Sequence, residues 1–343
     1  MESRREFKRQ KRKKKKSKKW KIITLILIIL VIAGGAYAFN TYSAVKDTVG
    51  KMHFKIAGKN TDISGNGKPI NVLLLGVDER KNDVGRSDTM IVVTLNPKDK
   101  SMLMTSIPRD TRTPIIGYNG NQESKINSAY PHGGGGSAGT EMATKTVENF
   151  LNINIDYVVK INMEGLVDLV DAVGGITVNN KIDWYDEGYY KKGYHYEKGK
   201  IQLDGAQALG YARMRHLDPR GDIGRNERQR QVITAIINKG KSITSVTHMQ
   251  DILDAVGDNV KTTFTFDDMK SVALNYRQCR DHIYSYEVQG DSQMINGGSY
   301  IVVTDEEKQK VHDMIEDELA GKLDMSKYKT SDSNDSSSDS SNQ

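Results

Sequence analysis

The side chains best suited to chemistry are concentrated in residues 211–231. This segment reads YARMRHLDPRGDIGRNERQRQ and holds six arginines, two aspartates and two glutamines. Arginine stays protonated at working pH, and its planar guanidinium group binds phosphate oxygens in pairs. Such a cluster is unfavourable unless an anion neutralises it. The segment therefore predicts a phosphate-binding site.

Periodicity divides these arginines into sets. If residues 210–215 are extended, Arg213 and Arg215 share one face, ~7 Å apart at about 3.3 Å per residue. Asp222 then suits a turn into a helix. In that helix Arg225 and Gln229 lie one turn apart. They are in line with three apolar residues, Val232, Ile233 and Ile236.

The alternative interpretation is a solvated charged face with local Asp–Arg pairs. It fits Glu227, Arg228 and Arg230, which we place on the outer face of the same helix. For Arg213, Arg215, Arg225 and Gln229 the pattern points inward, and this favours binding of a shared anion.

The elements that would position these residues alternate between strands and helices. Short β-branched runs predict strands at 69–77, 88–95, 101–107 and 157–161, and apolar spacing predicts helices at 141–151 and 163–173. This order indicates an α/β domain with a central mixed sheet flanked by helices. Residues 181–200, rich in Tyr, Gly and Lys, suit a loop or hairpin on the rim.

One carboxylate lies at the end of the first predicted strand, and a second lies at the start of the next strand. Asp78 follows the first strand, and Asp88 opens the second after a short loop. Open α/β sheets bind ligands at strand ends, and hard oxygen ligands suit Mg²⁺ (or Mn²⁺) shared with a diphosphate. A turn aspartate and a capping aspartate without metal explain the spacing equally well.

Further donors follow the same strands. Arg80 comes two residues after Asp78, Arg109 lies at the tip of the third strand, and Lys125 with Asn127 falls in the segment SKINSAY. We expect these cations to add to the same anion site.

Several kinds of site are absent from the sequence. The glycine run 133–136 lacks the Gly-Lys-Ser/Thr of a P-loop, and the seven histidines show no zinc-binding spacing. No GxSxG motif occurs, and Cys279 lacks the context of a nucleophile. The chemistry is therefore not expected to use a covalent Ser or Cys intermediate.

The N-terminal region predicts a membrane anchor. Residues 1–21 carry 13 Lys/Arg and two Glu, and residues 22–39 are an uncharged run that spans ~27 Å as a helix, at 1.5 Å per residue. The basic flank keeps the N-terminus in the cytoplasm and places everything after residue 40 outside. A cleavable signal peptide is the alternative, because Ala36-Tyr37-Ala38 resembles a cleavage site.

The rest of the chain divides into three parts. Residues 40–65 suit a stalk, 66–327 are long enough for one catalytic domain, and 328–343 form a Ser/Asp-rich tail expected to be disordered. The chain carries +6 overall, but residues 22–343 sum to −5, which argues against nucleic-acid binding. A single cysteine excludes an internal disulfide and suits an extracytoplasmic bacterial protein better than a small secreted eukaryotic one.

These pieces in this order resemble the LytR-CpsA-Psr family. The resemblance rests on the basic tail with one transmembrane helix, then on LLLGVDER, GRSDTMIVVTL, SIPRDTR, SKINSAY and GYARMRHLDPRGDIGRNERQRQ, roughly over residues 69–240. It implies an extracytoplasmic phosphotransferase that moves a glycopolymer, such as wall teichoic acid, from undecaprenyl diphosphate to peptidoglycan through a phosphodiester bond. It also implies an apolar cavity for the polyprenyl chain.

By motif, the family's metal carboxylates fall on Asp78 and Asp88. Its phosphate-binding side chains fall on Arg80, Arg109, Arg213, Arg215 and Arg225, with Gln229 beside them. Either Asp222 or Asp78 could accept the hydroxyl proton. Two alternatives stay open: a polyprenyl-diphosphate phosphatase with water as acceptor, and a scaffold that binds lipid and cell wall without catalysis.

Overall fold

The fold was analysed in a computed structural model of the 343-residue chain. It describes residues 43–57, 59, 67–80, 83–240 and 246–328. The predicted basic tail, the transmembrane segment 22–39 and residues 329–343 of the tail lie outside the described residues. Within the described part of the chain, no helix has both the length and the apolar character needed to cross a bilayer.

A six-stranded mixed sheet forms the centre of the molecule. Its strands are β1 (Ile70–Val77), β2 (Ser87–Asn96), β3 (Ser101–Ser106), β6 (Tyr157–Asn162), β11 (Val260–Thr262) and β12 (His282–Glu287). Their order across the sheet is β11-β6-β1-β2-β3-β12, and β1 pairs antiparallel with β2 and parallel with β6. The predicted α/β fold with a central mixed sheet is confirmed.

Smaller two-stranded units surround this sheet. They pair β4 (Arg112–Pro114) with β5 (Glu123–Lys125), β7 (Ile176–Asn180) with β10 (Gly199–Leu203), β8 (Trp184–Tyr185) with β9 (His195–Tyr196), and β13 (Asp291–Ile295) with β14 (Gly298–Val302). The β8–β9 pair is the hairpin expected within residues 181–200.

The α-helices pack around the sheets. They are α1 (43–52), α2 (Ala129–His132), α3 (Gly136–Leu151), α4 (Met163–Ala172), α5 (Gly205–Arg213), α6 (Asp222–Lys239), α7 (Val246–Val256), α8 (Phe266–Asn275) and α9 (Asp305–Ala320).

Both faces of the central sheet are covered, as the continuous apolar run of β1 predicts. Leu73 and Leu75 point into a core shared with Val147 of α3 and Ile315 of α9. Val72 belongs to the core on the opposite face, which α6 and α8 help to cover. This alternation follows from the two-residue period of a strand.

The predicted strand at residues 210–215 is wrong. Asp204 caps α5 by accepting a hydrogen bond from the Gln207 backbone N–H, and the Gln207 side-chain oxygen accepts one from the Asp204 backbone N–H. This capping box starts a helix that runs through Arg213 and ends at Met214, whose backbone is extended. The run Ala-Gln-Ala-Leu contains good helix formers, so local propensity continues the helix into the arginine segment.

Part of the predicted stalk packs against the domain. In α1, Val49 and Met52 are buried, and Met52 joins a small core with Val256 and Val260. Thr48 also donates a hydrogen bond of 2.7 Å to Asp254. The described part of residues 40–65 is thus attached to α7 and β11.

Residues beyond 240, which carry no recognisable motif, complete the sheet. They supply both of its edge strands, β11 and β12, and they supply α8 and α9. This region is therefore integral to the domain.

Candidate functional site

An apolar cavity of about 510 Å³ opens beside the ends of β1 and β6. Its walls come from α4, α5, α6, α7 and the sheet, with Leu74, Ile161, Leu166, Ile233 and Ile252 among the lining residues. Polar and charged residues also line it, and we define its polar end by seven of them: Asp78, Asp88, Arg109, Arg213, Arg215, Arg225 and Gln229. The cavity thus joins a charged end to a long apolar interior.

Helix α6 brings Arg225 and Gln229 to the polar end as predicted. Val232, Ile233 and Ile236 line the cavity along the same helix face. The Arg225 side chain is only 8% exposed, and its Nε has no hydrogen-bond partner in the described structure. Burial lowers the pKa of Arg225, and the nearby Arg109 and Arg215 act in the same direction against Asp222 and Asp88. A buried guanidinium with an unused donor is suited to binding an anion.

Arg109 follows the end of β3 and faces the same space. Its Nη1 lies 3.2 Å from Asp88 Oδ1, while its Nε is buried without a hydrogen bond among the described residues. Burial alone would lower the pKa of Arg109, but Asp88, Asp222 and Asp110 outweigh it and raise the pKa. Arg109 therefore stays charged.

Arg213 and Arg215 reach the polar end from the end of α5 and the turn after it. The Arg213 guanidinium lies 5.6 Å from the centre of the Tyr189 ring. Arg215 Nε lies 3.2 Å from Asp222 Oδ1, and Arg225 Nη2 lies 3.0 Å from the same oxygen. Asp222, in the first turn of α6, thus holds two of the arginines together.

Asp78 and Asp88 both line the cavity, as expected from their strand ends. Asp88 also accepts a hydrogen bond of 3.4 Å from Asn127, and Asp78 accepts two from Arg80, at 3.2 and 3.1 Å. Within the described ranges, no group of three or more His, Cys, Asp or Glu side chains is arranged to hold a metal. Two carboxylates beside a cluster of arginines nevertheless fit Mg²⁺, which keeps several waters and binds phosphate oxygens of substrates.

Two predicted anion-binding cations do not line the cavity. The Arg80 side chain is 65% exposed and pairs with Asp78. Lys125 Nζ lies 2.7 Å from Asp110 Oδ1 and 5.6 Å from the centre of the Tyr300 ring. The structure therefore places them next to residues of the polar end, rather than in its wall.

The predicted solvated face of α6 is wrong. Arg228 is 4% exposed, and it donates hydrogen bonds of 2.6 Å to Asp218 and to the Met214 carbonyl. Arg230 is 12% exposed, and it donates to Ser106 Oγ at 2.7 Å. Glu227 pairs with Lys181 and Arg220. Loops and strand ends cover these sides of the helix, which no local pattern reveals.

A buried lysine next to the polar end was missed in the sequence. Lys160 of β6 is 8% exposed, and its Nζ donates to Glu79 at 2.7 Å and to Tyr130 at 3.0 Å. Burial would lower the pKa of Lys160, but Glu79 and Tyr130 raise it. A lysine inside an apolar strand is the signal that could have identified this cluster. Tyr189 and His216, which line the cavity, were also missed.

Comparisons with known proteins agree with this geometry. A model of the LytR_cpsA_psr family matches residues 37–317. A Bacillus anthracis protein named polyisoprenyl-teichoic acid–peptidoglycan teichoic acid transferase TagU is 44% identical over 284 residues, which cover 81% of this chain and 90% of that protein.

Two solved structures are also similar. The crystal structure of Bacillus subtilis TagU matches with a TM-score of 0.59 and 42% identity, covering 74% of this chain and 97% of that one. A structure described as TagT bound to LI-WTA matches with a TM-score of 0.65 and 30% identity, covering 78% and 100%.

Proposed function

The chain belongs to the LytR-CpsA-Psr family, and from this premise we propose that it transfers a glycopolymer of the wall teichoic acid type from a polyprenyl diphosphate carrier to peptidoglycan. Relatives named as teichoic acid transferases support this function. The observation that carries it in this structure is the pair Arg109 and Arg225. Arg225 is buried and Arg109 is partly buried at the end of an apolar cavity, and each has a buried guanidinium nitrogen without a hydrogen-bond partner among the described residues.

The two halves of the cavity match the two halves of the donor. The apolar interior suits a polyprenyl chain, and the arginines of the polar end suit its diphosphate. Several charged donors fixed around one phosphate stabilise the charge that develops during phosphoryl transfer. Because Asp222 and Asp88 already orient Arg215, Arg225 and Arg109, little reorganisation is needed when the donor binds.

The reaction is a substitution at phosphorus. A sugar hydroxyl of peptidoglycan attacks the phosphate attached to the glycopolymer, a new phosphodiester bond forms, and the bond to polyprenyl phosphate breaks. We propose that the hydroxyl proton is accepted either by Asp78, which lines the polar end, or by Asp222, which contacts Arg215 and Arg225 there. The arginines hold the diphosphate in line with the attacking oxygen.

We propose that Asp78 and Asp88 hold Mg²⁺ or Mn²⁺ together with the donor diphosphate. The ion would supply further neutralisation of phosphate charge.

We also propose that residues 22–39 anchor the protein in the membrane with the catalytic domain outside. The attachment of α1 supports this arrangement. α1 follows the proposed anchor closely in the sequence and packs against α7 and β11, so it connects the anchor to one wall of the cavity.

Conversion of a labelled polyprenyl-diphosphate glycan tests the function. We expect transfer of the label to peptidoglycan fragments with release of polyprenyl phosphate. Hydrolysis to free phosphorylated glycan without an acceptor product would support the phosphatase. Stoichiometric binding without any product would support the scaffold, and it would refute both enzymes.

A further inference from the structure

Helix α6 has a second row of polar residues beside the one that faces the cavity. Arg225 and Gln229 line the cavity, whereas Asn226 and Arg230 lie one position further along the helix. Each position turns by about 100°, so the second pair forms a parallel row on an adjacent side. Asn226 is 5% exposed and the Arg230 side chain 12%, so this row is buried as well.

The second row is bound to the ends of two strands. Asn226 Nδ2 donates to Glu287 Oε1 at 2.7 Å, Arg230 Nη1 lies 3.5 Å from Glu287 Oε2, and Arg230 Nη1 donates to Ser106 Oγ at 2.7 Å. Glu287 is the last residue of β12 and Ser106 the last of β3, and the two are directly paired in the sheet. Both attachments of α6 are therefore made at one position of the sheet.

The same position of the sheet lies close in sequence to Arg109. Ser106 precedes Arg109 by three residues, and its carbonyl accepts a hydrogen bond of 3.0 Å from the Val288 N–H. One pair of strand residues therefore connects the element that carries Arg225 with the strand that ends shortly before Arg109. A rotation of α6 about its axis that moved Arg225 away from Arg109 would also break the bonds of Asn226 and Arg230.

We propose that Glu287 is a positioning residue that fixes the rotation of α6, and with it the placement of Arg225 and Gln229 opposite Arg109. Glu287 is 7% exposed and does not line the cavity, so it acts through the helix and does not touch the substrate. Burial raises the pKa of Glu287 while Arg230 and Asn226 oppose this, which agrees with a desolvated and geometrically demanding contact. The role in catalysis rests on the proposed function.

Glu318 provides a matched control at the opposite end of the same strand. It is 2% exposed and accepts a hydrogen bond of 2.7 Å from Ser101, the first residue of β3. Glu287→Gln and Glu318→Gln therefore each neutralise a buried carboxylate at one end of β3: Glu287 is the strand residue paired with Ser106, and Glu318 is hydrogen-bonded to Ser101. Only the first of these contacts also binds α6.

The experiment uses full-length protein in detergent, at a temperature below the unfolding transition of every variant. Calorimetry measures the affinity for inorganic pyrophosphate, and a transfer assay with a polyprenyl-diphosphate glycan measures kcat and KM. Displacing a catalytic group by about 1 Å lowers rates about 100-fold, so we expect Glu287→Gln to lose about that factor in kcat. It should also bind pyrophosphate more weakly, whereas Glu318→Gln should keep both values.

Equal retention of kcat and pyrophosphate affinity in the two variants would overturn the proposal. If Glu287→Gln does not fold, Asn226→Ala takes its place, because it removes one attachment and keeps the ion pair. Full pyrophosphate affinity in Asn226→Ala would then count against the proposal. The pyrophosphate measurement needs no turnover, so it stays decisive even if the wild-type protein fails to transfer glycan.

Discussion

At the scale of single residues, the site is organised by carboxylates that hold arginines in place without using all of their donors. Asp222 Oδ1 contacts both Arg215 and Arg225, and Asp88 contacts Arg109. Each arginine keeps part of its guanidinium group available. Such an arrangement is already set for an anion before the anion arrives.

The first prediction concerns Arg225. Arg225→Ala should lose ~2–4 kcal/mol of transition-state stabilisation, because it removes one charged donor from a preorganised site. Steady-state kcat/KM for glycopolymer transfer checks this value, and Arg213→Ala should behave in the same way. The matched control is Arg277→Ala, an exposed arginine in the 3-10 helix Arg277–Asp281, which should leave kcat/KM unchanged. An equal loss in the control would show that the effect is not specific to the site.

The second prediction concerns the proposed metal. Two carboxylates alone bind Mg²⁺ weakly, so its affinity for the protein should be low and should rise when inorganic pyrophosphate is present. Calorimetric titration of Mg²⁺ with and without pyrophosphate measures this directly. Asp78→Asn and Asp88→Asn should remove the increase. Activity should fall in EDTA and return with Mg²⁺ or Mn²⁺, and full turnover in excess chelator would rule the metal out.

At the scale of elements, the turn before α6 is bound to the helix by a buried ion pair. Asp218 and Arg228 have side chains 1% and 4% exposed, and their closest atoms are 2.6 Å apart. Gly224 of α6 lies against the same carboxylate, since a Cβ at this position would be 1.8 Å from Asp218 Oδ2. The pair therefore fixes the path of the chain between Arg215 and Arg225.

Replacing Asp218 should destabilise the protein in a pH-dependent way. Asp218→Asn leaves Arg228 buried without a counter-charge, and we expect a loss of about 3–5 kcal/mol in the free energy of unfolding at neutral pH. Burial would raise the pKa of Asp218, but hydrogen bonds from Arg228 and Arg220 lower it. Because the pKa of Asp218 is lower in the folded than in the unfolded protein, its ionised carboxylate stabilises the fold at pH values above the unfolded-state pKa. This stabilisation is lost as the pH falls. The difference between wild type and variant, measured by urea unfolding, should therefore shrink below about pH 4.

Gly224→Ala tests the packing of the same turn without changing charge. Alanine favours a helix over glycine by about 1 kcal/mol, yet its Cβ must displace the Asp218 carboxylate. We expect a lower melting temperature. Gly240→Ala, at the end of α6 where a Cβ meets no atom of the described residues within 4 Å, should leave the melting temperature unchanged or raise it. Stabilisation by Gly224→Ala would mean that the turn moves freely.

Elements with strong local signals could be predicted from the sequence, and those set by distant contacts could not. β1 and α6 were predicted because their apolar periodicity is unbroken over several residues. The end of α5 was missed because Arg213 and Arg215 also fit a two-residue period, and only the capping box at Asp204 decides for a helix. Burial of Arg230 was missed because its partner Glu287 lies 57 residues away and carries no motif.

At the scale of the whole molecule, the prediction that remains is topology. If residues 22–39 form the anchor, protease added to intact protoplasts should digest the chain after residue 40 and leave a short basic fragment protected. Immunoblotting with tags at either end follows both products. A domain that survives protease until the membrane is permeabilised would place it inside the cell and would contradict the proposed substrate.

The order of strands in the central sheet also has a consequence for how the chain folds during synthesis. β1, β2 and β3 are consecutive and can pair as soon as they emerge, whereas both edges, β11 and β12, come from the last third of the chain. Closing the sheet therefore requires contacts of large sequence separation, and these form slowly. Until then β6 and β3 present unpaired edges, which are sites of aggregation. A nascent chain thus passes through a stage in which two sheet edges are exposed, and the rotation of α6 that Glu287 fixes is set only after β12 has joined the sheet.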